Sequence, residues 1–115
     1  MAVSDGHTVC LSVEFENPPN VPEATEVLAT YQAPESARDL PSTPRPVVFV
    51  HPNRDRPQPR LDRLTGAGMT TVVGRIRPDP LFHLKMVVLS HNTIRGAAGG
   101  SIYNAEFLVR EGMIK

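Results

Sequence analysis

Apolar and polar residues alternate most regularly near the start of the chain, between positions 7 and 16. Apolar side chains occupy every second position from Val9 to Phe15, and polar residues together with Cys10 lie between them. A period of two over ten residues predicts a half-buried β-strand. His7 falls on the apolar face of this strand, and Asn17 with the prolines that follow it ends the strand.

Further apolar runs predict an α+β chain. The spacing of Asn20 and Glu23 matches a capping box, which predicts a helix over 21–32. The other predicted elements are strands at 47–50, 69–77 and 82–90, and a helix from 93 to about 112. Residues 86–89 are apolar on both faces, which predicts that this end of the strand is covered on both sides. We therefore expect an antiparallel or mixed sheet with helices on one face.

A long segment rich in proline, arginine and aspartate runs from 51 to 68. Connections of this length are usually functional or lie at an interface. Four arginines alternate here with Asp55 and Asp62, and no aromatic side chain is present for base stacking, so nucleic-acid binding is disfavoured. The segment is expected to be a polar loop with local ion pairs or a contact between subunits.

Composition narrows the function further. A length of 115 residues allows one domain, and 12 basic against 12 acidic residues give no net charge to attract nucleic acid or a membrane surface. The single Cys10 indicates a reducing compartment, so we expect a cytoplasmic protein. The histidines and Cys10 show no ligand pairs at zinc spacing, so no metal site is predicted.

The most informative segment is His-Asn-Thr-Ile-Arg-Gly-Ala-Ala-Gly-Gly at 91–100, where the last strand meets the last helix. Its nearly bare backbone suits either an anion at a helix N-terminus or close packing of the helix on another surface. A glycine-rich helix start without the preceding strand–loop fingerprint is weak evidence for phosphate binding. Each glycine costs about 1 kcal/mol of helix stability relative to alanine, so something should approach the backbone closely.

Three collinear blocks give the chain a family resemblance. They are Asp-Gly-His-Thr at 5–8 leading to Val-Glu-Phe at 13–15, Arg-Pro-Gln-Pro-Arg-Leu-Asp-Arg at 56–63 with Gly-Met at 68–69 and Val-Gly-Arg-Ile-Arg at 73–77, and 89–100 with Asn-Ala-Glu at 104–106. In these blocks the chain resembles the C-terminal third of aspartate-semialdehyde dehydrogenase, in its fungal and archaeal form. Archaeal malonyl-CoA reductases are similar, which leaves the parent substrate open.

The resemblance implies the C-terminal catalytic and dimerisation portion of a glyceraldehyde-3-phosphate-dehydrogenase-like domain over 1–90. It also implies that the helix at 91–115 packs on an NADP-binding domain. The implied reaction is NADPH-dependent reductive dephosphorylation of L-aspartyl-4-phosphate to the semialdehyde, in threonine, methionine and lysine synthesis. His7 matches the general base that activates a cysteine nucleophile. Asn92, Arg95 and Gly96 match positions lining the nicotinamide end of the cofactor pocket.

The chain also departs from the family pattern. It has no glycine-rich phosphate loop and no nucleophile segment, and the substrate arginine expected seven residues before the histidine would precede Met1. Cys10 lies three positions from His7, an odd offset that places the two side chains on opposite faces of a strand. We therefore expect a truncated chain that is inactive alone and does not bind NADP tightly.

Self-association is the predicted property of such a chain. An apolar stripe runs along the last helix, formed by Ile94, Ala97, Ala98, Ile102, Ala105, Leu108, Val109 and Met113. An uncovered stripe of this size is an association site. We expect a homodimer, with exchange of the C-terminal helix between chains as one arrangement. The alternative is a regulatory truncated form that joins oligomers of the full-length enzyme.

Overall fold

A four-stranded sheet organises the chain in the computed structural model, which describes residues 2–115. The strands and helices are β1 (His7–Val13), α1 (Val21–Ala29), β2 (Val48–Val50), α2 (Pro59–Asp62), β3 (Thr71–Pro78), β4 (Leu84–Ser90) and α3 (Gly99–Arg110), with 3-10 turns at Glu35–Ala37 and Thr65–Gly68 and a π-helical turn at Ile94–Ala98. The strand order is β1-β4-β3-β2. β4 pairs antiparallel with β1 and β3, whereas β2 and β3 are parallel. This mixed sheet confirms the predicted α+β class.

Helix α1 begins where the sequence predicts and ends three residues early. The Asn20 side chain accepts a hydrogen bond from the Glu23 N–H, and the Glu23 carboxylate accepts one from the Asn20 N–H, both at 2.9 Å. This reciprocal pair is the predicted capping box. The helix ends at Ala29 because Thr30 closes it: its hydroxyl and N–H both bond to the Glu26 carbonyl, at 2.7 and 2.9 Å.

The prediction of a half-buried first strand is wrong in its burial. β1 forms at the edge of the sheet and ends at Val13, three residues earlier than the alternation indicated. Val9 is 36% exposed and Leu11 39% exposed, although both lie on the apolar face. No element of residues 2–115 covers that face of β1. The alternation therefore sets the orientation of the side chains but does not bury them within this chain.

The expected two-sided cover of the end of β4 is also wrong. Leu89 is fully buried, but Met86 and Val88 are only half-buried. Antiparallel partners point to the same side of a sheet, so the pairs Leu11–Met86 and Val9–Val88 form one continuous apolar surface. We call the surface formed by Val9, Leu11, Met86 and Val88 the open sheet face.

The hydrophobic core is small and centres on β3, where the consecutive residues Val72 and Val73 are both buried, one on each face of the sheet. Its buried apolar side chains are Ala24, Ala33, Leu40, Met69, Val72, Val73, Leu84 and Leu89. The radius of gyration is 15.4 Å, larger than the value of about 13 Å typical of a compact domain of this length. The chain is therefore flat, with much of its sheet close to the surface.

The segment at 51–68 folds over the sheet instead of remaining an open loop. Arg56 pairs with Asp62, and the Asp62 carboxylate also accepts the Gln58 N–H at 2.6 Å. A Cβ at Gly74 of β3 would lie 2.3 Å from the Arg56 carbonyl oxygen. The predicted local ion pair is present and half-buried: Asp62 is only 4% exposed, whereas the Arg56 side chain keeps 21% of its surface exposed.

Helix α3 binds the rest of the chain through its polar side. Tyr103 donates a hydrogen bond to the Ala37 carbonyl at 2.7 Å, and the Glu106 carboxylate accepts both the N–H and the hydroxyl of Ser42 at 2.9 and 2.7 Å. No residue of α3 is buried. The exposed large apolar residues of this helix and of the segment after it are Ile102, Val109, Met113 and Ile114, at 46–68%.

Candidate functional site at the start of β1 and the turn after β4

Strand pairing brings the first and last sequence blocks together. In the β1–β4 register His7 lies opposite Ser90, next to the turn that begins the glycine-rich segment. The Asn92 side-chain oxygen accepts a hydrogen bond from the Gly6 N–H at 2.9 Å, a contact between residues 86 positions apart. The predicted base and one predicted cofactor residue, Asn92, are therefore parts of one local structure.

Gly6 can occupy its position only as glycine. Its φ of +97° is in the left-handed region that side chains disfavour. A Cβ there would also lie 3.0 Å from the Pro59 Cβ and 3.3 Å from Leu89 Cδ1. The segment carrying Pro59 therefore packs against the backbone that presents His7, which gives the folded 51–68 segment a role in positioning the site.

His7 is accessible and has no partner in this part of the molecule. Its side chain is exposed, and its ring makes no hydrogen bond within residues 2–115. Cys10 is exposed as well, but the unbroken β1–β4 register places it on the opposite face of the strand. The Cys10 thiol therefore cannot be the nucleophile activated by His7 of the same chain. The neighbouring Thr8 hydroxyl is buried and has no hydrogen-bond partner among the described residues.

His91 shapes the turn, a role that sequence reasoning missed. It is 5% exposed, and its Nδ1 accepts the N–H groups of Thr93 and Ile94 at 3.3 and 3.2 Å. An accepting Nδ1 requires the neutral ring with its proton on Nε2. The side chain thus satisfies N–H groups left free at the start of a helix. The position of His91 between the last strand and a helix is the sequence feature that could have indicated this capping role.

The glycine-rich start is a π-helical turn, a form that is frequent at functional sites. A Cβ at Gly99 would lie 2.5 Å from the Met69 sulfur, and one at Gly100 would lie 2.5 Å from the Arg95 carbonyl. At Gly99 the close neighbour is a side chain outside the helix, which supports the packing interpretation, whereas at Gly100 it is the preceding turn of the same helical segment. Gly96 differs, because the nearest atom to a Cβ there is 3.6 Å away and the residue is exposed.

The three predicted cofactor residues offer an open polar edge. The Asn92 side-chain oxygen accepts the Gly6 N–H, which leaves the side-chain amide N–H groups free to donate. The Arg95 guanidinium lies over the Tyr103 ring, 5.8 Å from its centroid, in a cation–π contact. Gly96 leaves room beside its backbone. These groups fit the edge of a dinucleotide but do not enclose one.

The half-buried Arg56–Asp62 pair beside the site has a definite charge state. Burial of the Asp62 carboxyl acts to raise its pKa, but hydrogen bonds from Arg56 and from the Gln58 N–H outweigh it and hold the pKa below the usual range. The hydrogen bonds that Arg56 donates to the Asp62 carboxylate also raise the pKa of Arg56. Both groups are therefore charged at neutral pH.

The described residues contain neither a metal cluster nor a helix that could cross a membrane. Within residues 2–115, no cluster of three or more histidine, cysteine, aspartate or glutamate side chains has the geometry to hold a metal ion. Across the same residues, no helix has the length and apolar character needed to cross a membrane.

Comparison with known proteins shows to which family the chain is similar. The family model described as "Semialdehyde dehydrogenase, dimerisation domain" matches residues 1–95. Aspartate-semialdehyde dehydrogenase of Archaeoglobus fulgidus is 48% identical over 112 residues, which are 97% of this chain and 32% of that protein. The Saccharomyces cerevisiae enzyme is 47% identical over 116 residues, covering 99% of this chain and 32% of the enzyme.

A solved structure agrees with the sequence relatives. The crystal structure of aspartate-semialdehyde dehydrogenase with NADP from Candida albicans superposes with a TM-score of 0.83 and 46% identity. It covers 96% of this chain and 31% of the Candida chain. The chain thus spans about a third of the length of the relatives that it matches.

Proposed function

Because the chain belongs to the semialdehyde dehydrogenase dimerisation-domain family, we propose that it forms the corresponding third of an aspartate-semialdehyde dehydrogenase. The proposed reaction is NADP-dependent interconversion of L-aspartyl-4-phosphate and the semialdehyde, in the cytoplasm. The relatives reported above carry that enzyme name, which favours aspartyl phosphate over malonyl-CoA as the parent substrate.

The observation that carries this proposal is the hydrogen bond from the Gly6 N–H to the Asn92 side chain. It joins the block that contains the candidate base to the block that contains the candidate cofactor residues. A catalytic base must lie near the groups that orient the reacting molecules.

Each residue has a proposed role. His7 takes the proton of a cysteine thiol, which increases its nucleophilicity toward the acyl group. The free amide N–H groups of Asn92 and the open backbone at Gly96 hold the nicotinamide end of NADP, with Arg95 flanking it. When bound, NADP supplies or accepts the hydride. His91 and Asp62 keep the turn and the supporting segment in place.

The 115-residue chain alone is proposed to be inactive. Its only thiol, Cys10, points away from His7, and the open edge formed by Asn92, Arg95 and Gly96 does not enclose a dinucleotide. We expect no NADP reduction when the chain is mixed with semialdehyde, phosphate and NADP. Turnover that disappears in His7→Ala would contradict this expectation.

A chimera tests the catalytic roles. The 115 residues would replace the matching segment of the Saccharomyces cerevisiae enzyme, to which they are 47% identical. We expect an active chimera in which His7→Ala lowers kcat by roughly 10²–10⁴-fold, the range for loss of a general base. Cys10→Ser is the matched control and should leave kcat unchanged. An active chimera that is indifferent to His7→Ala would refute the assignment.

Self-association is proposed because two apolar surfaces of the chain are exposed. One is the open sheet face. The other lies on α3 and the segment after it, where Ile102, Val109 and Met113 point away from the chain while the polar side of the helix binds it. Aliphatic residues on the outer side of a helix whose inner side is polar indicate a missing partner.

The surface area supports an association of ordinary size. The accessible surface is 7539 Å², against about 6,200 Å² expected for a compact monomer of 12.6 kDa. The excess exceeds the roughly 800 Å² that each partner buries in a standard interface. We therefore propose a homodimer, with full-length subunits as an alternative partner.

A negative charge placed on one surface at a time shows which of the two surfaces mediates association. Leu11→Asp tests the open sheet face and Val109→Asp tests α3, while Cys10→Asp puts the same charge on the other side of β1. We expect wild type and Cys10→Asp to be dimers in sedimentation equilibrium at micromolar concentration, and at least one test variant to be a monomer. A monomeric wild type would refute the homodimer. Inhibition on adding the chain to intact enzyme would instead support mixed oligomers.

A further inference from the structure

A basic cleft lies between the second half of α1 and the ends of β2 and β3. Its volume is about 440 Å³, within the range typical of small-molecule sites. Arg54, Arg75 and Arg77 line it together with His51 and Thr25, and none of its lining residues is acidic. The cleft thus gathers three positive charges in a chain whose total charge is zero.

These three arginines lack partners of opposite charge. Within residues 2–115 the one ion pair is Arg56–Asp62, so none of the three contacts a carboxylate. Like charges gathered in one concave site repel one another and raise the local positive potential. An anion that enters the cleft would relieve this repulsion, since no acidic residue lines the cleft.

The backbone at Arg75 is strained where it meets the cleft. Between the pairs Gly74–Val87 and Arg77–Lys85 the register shifts, and the φ of Arg75 is +55°. This left-handed conformation costs a side-chain-bearing residue about 1–2 kcal/mol, whereas glycine adopts it freely. Bulges of this kind redirect side chains and occur preferentially near functional sites.

The bulge also fixes the neighbouring arginine. Arg77 Nη1 donates a hydrogen bond to the Arg75 carbonyl oxygen at 2.8 Å. This hydrogen bond fixes one nitrogen of the Arg77 guanidinium, Nη1, and leaves its other N–H groups available to bind an anion. A strained arginine and an anchored one therefore line the same cleft, an arrangement that sheet packing alone does not require.

We propose that this cleft binds a phosphorylated small molecule. The planar guanidinium fork matches two phosphate oxygens at once, and charge-assisted bonds of this type are short and strong. The Arg75 and Arg77 guanidinium groups donate hydrogen bonds to the phosphate oxygens, and Arg54 adds a third positive charge to the lining of the cleft. The Thr25 hydroxyl and the His51 ring provide additional polar groups on the walls.

Calorimetric titration of the 115-residue chain with inorganic pyrophosphate tests the proposal. We expect saturable binding that weakens at least 10-fold in Arg75→Gly and in Arg77→Gln. Arg110→Gln is the matched control, because Arg110 is exposed on α3 and lies outside the cleft, and it should bind as wild type does. Citrate at the same ionic strength separates phosphate recognition from attraction to any multivalent anion.

Arg75→Gly keeps the test independent of folding, because glycine suits the left-handed backbone at this position. Its thermal midpoint should equal or exceed that of wild type while its affinity falls; Arg75→Asn, also tolerant of this conformation, serves as a second variant. Three results would overturn the proposal: no saturable binding, equal weakening in Arg110→Gln, or citrate binding as tightly as pyrophosphate.

Discussion

The bond between Asn92 and Gly6 gives the most direct test of how the two sequence blocks form one site. Asn92 is exposed, so truncating it to alanine opens no cavity in the core. Gly6 is buried, and Asn92→Ala leaves its N–H without a partner. An unsatisfied buried donor costs about 1–3 kcal/mol. We therefore expect Asn92→Ala to lower the free energy of unfolding by that amount.

Asn92→Asp separates the two functions proposed for this side chain. Its carboxylate oxygen still accepts the Gly6 N–H, so the free energy of unfolding should remain within about 0.5 kcal/mol of wild type. The amide N–H groups are lost, however, so the edge offered to the nicotinamide loses its donors. In the chimera, Asn92→Asp should raise KM for NADP although the fold is intact.

Urea denaturation followed by circular dichroism measures the difference, with all proteins at one concentration because association changes apparent stability. The thermal midpoint should fall by roughly 4 °C for each kcal/mol lost. Asn104→Ala is the matched control, since Asn104 is exposed on α3 and makes no side-chain hydrogen bond in the described structure. Equal losses in Asn92→Ala and Asn104→Ala would refute the reasoning.

Three other substitutions test the scaffold around the site, and a fourth, Gly96→Ala, serves as a control. Because the folded-state pKa of Asp62 is lowered, its stabilisation is complete above about pH 4 and is lost as the pH falls through the folded pKa. Asp62→Asn should therefore cost about 1–3 kcal/mol at pH 7 and flatten acid denaturation in urea, and an unchanged acid limb would argue against the ion pair. Gly74→Ala should cost about 1–3 kcal/mol by forcing the segment at 51–68 off the sheet, whereas Gly96→Ala, with open space around it, should be neutral or stabilising in the same melts. His91→Phe should cost about 1–2 kcal/mol, because the N–H groups of Thr93 and Ile94 lose their acceptor, and a wild-type melting curve would exclude this role.

Local rules predicted the elements of this fold well. The capping box at Asn20 and Glu23 set the start of α1, and apolar runs located all four strands to within two residues at their starts. These signals depend on contacts between residues near one another in sequence. Helix ends were less accurate, since the early end of α1 depends on the Thr30 side chain bonding back to Glu26.

The geometry of the candidate site could not be predicted from the sequence. Family resemblance predicts site roles for His7 and Asn92, and these roles stay predictions, but the juxtaposition of the two residues depends on the β1–β4 register and on the Gly6 backbone. The role of His91 depends on the acceptor state of one ring nitrogen, which no sequence pattern reports. The backbone conformation of Arg75 is even harder to predict, because residues other than glycine rarely adopt a positive φ and a sequence pattern therefore does not indicate one.

The exposed alternation of β1 points to an assembly larger than this chain. Period-two apolar patterns arise because one face of a strand is removed from water. In this chain the pattern is regular, yet Val9 and Leu11 keep more than a third of their surface exposed. The same mismatch occurs on α3, where the outer side is apolar and the inner side binds through Tyr103 and Glu106. The same discrepancy in two independent elements is what we expect where another polypeptide covers both surfaces. The oligomeric state of the chain therefore decides whether the alternation of β1 reports burial in an assembly, and a monomer would leave this pattern without a cause.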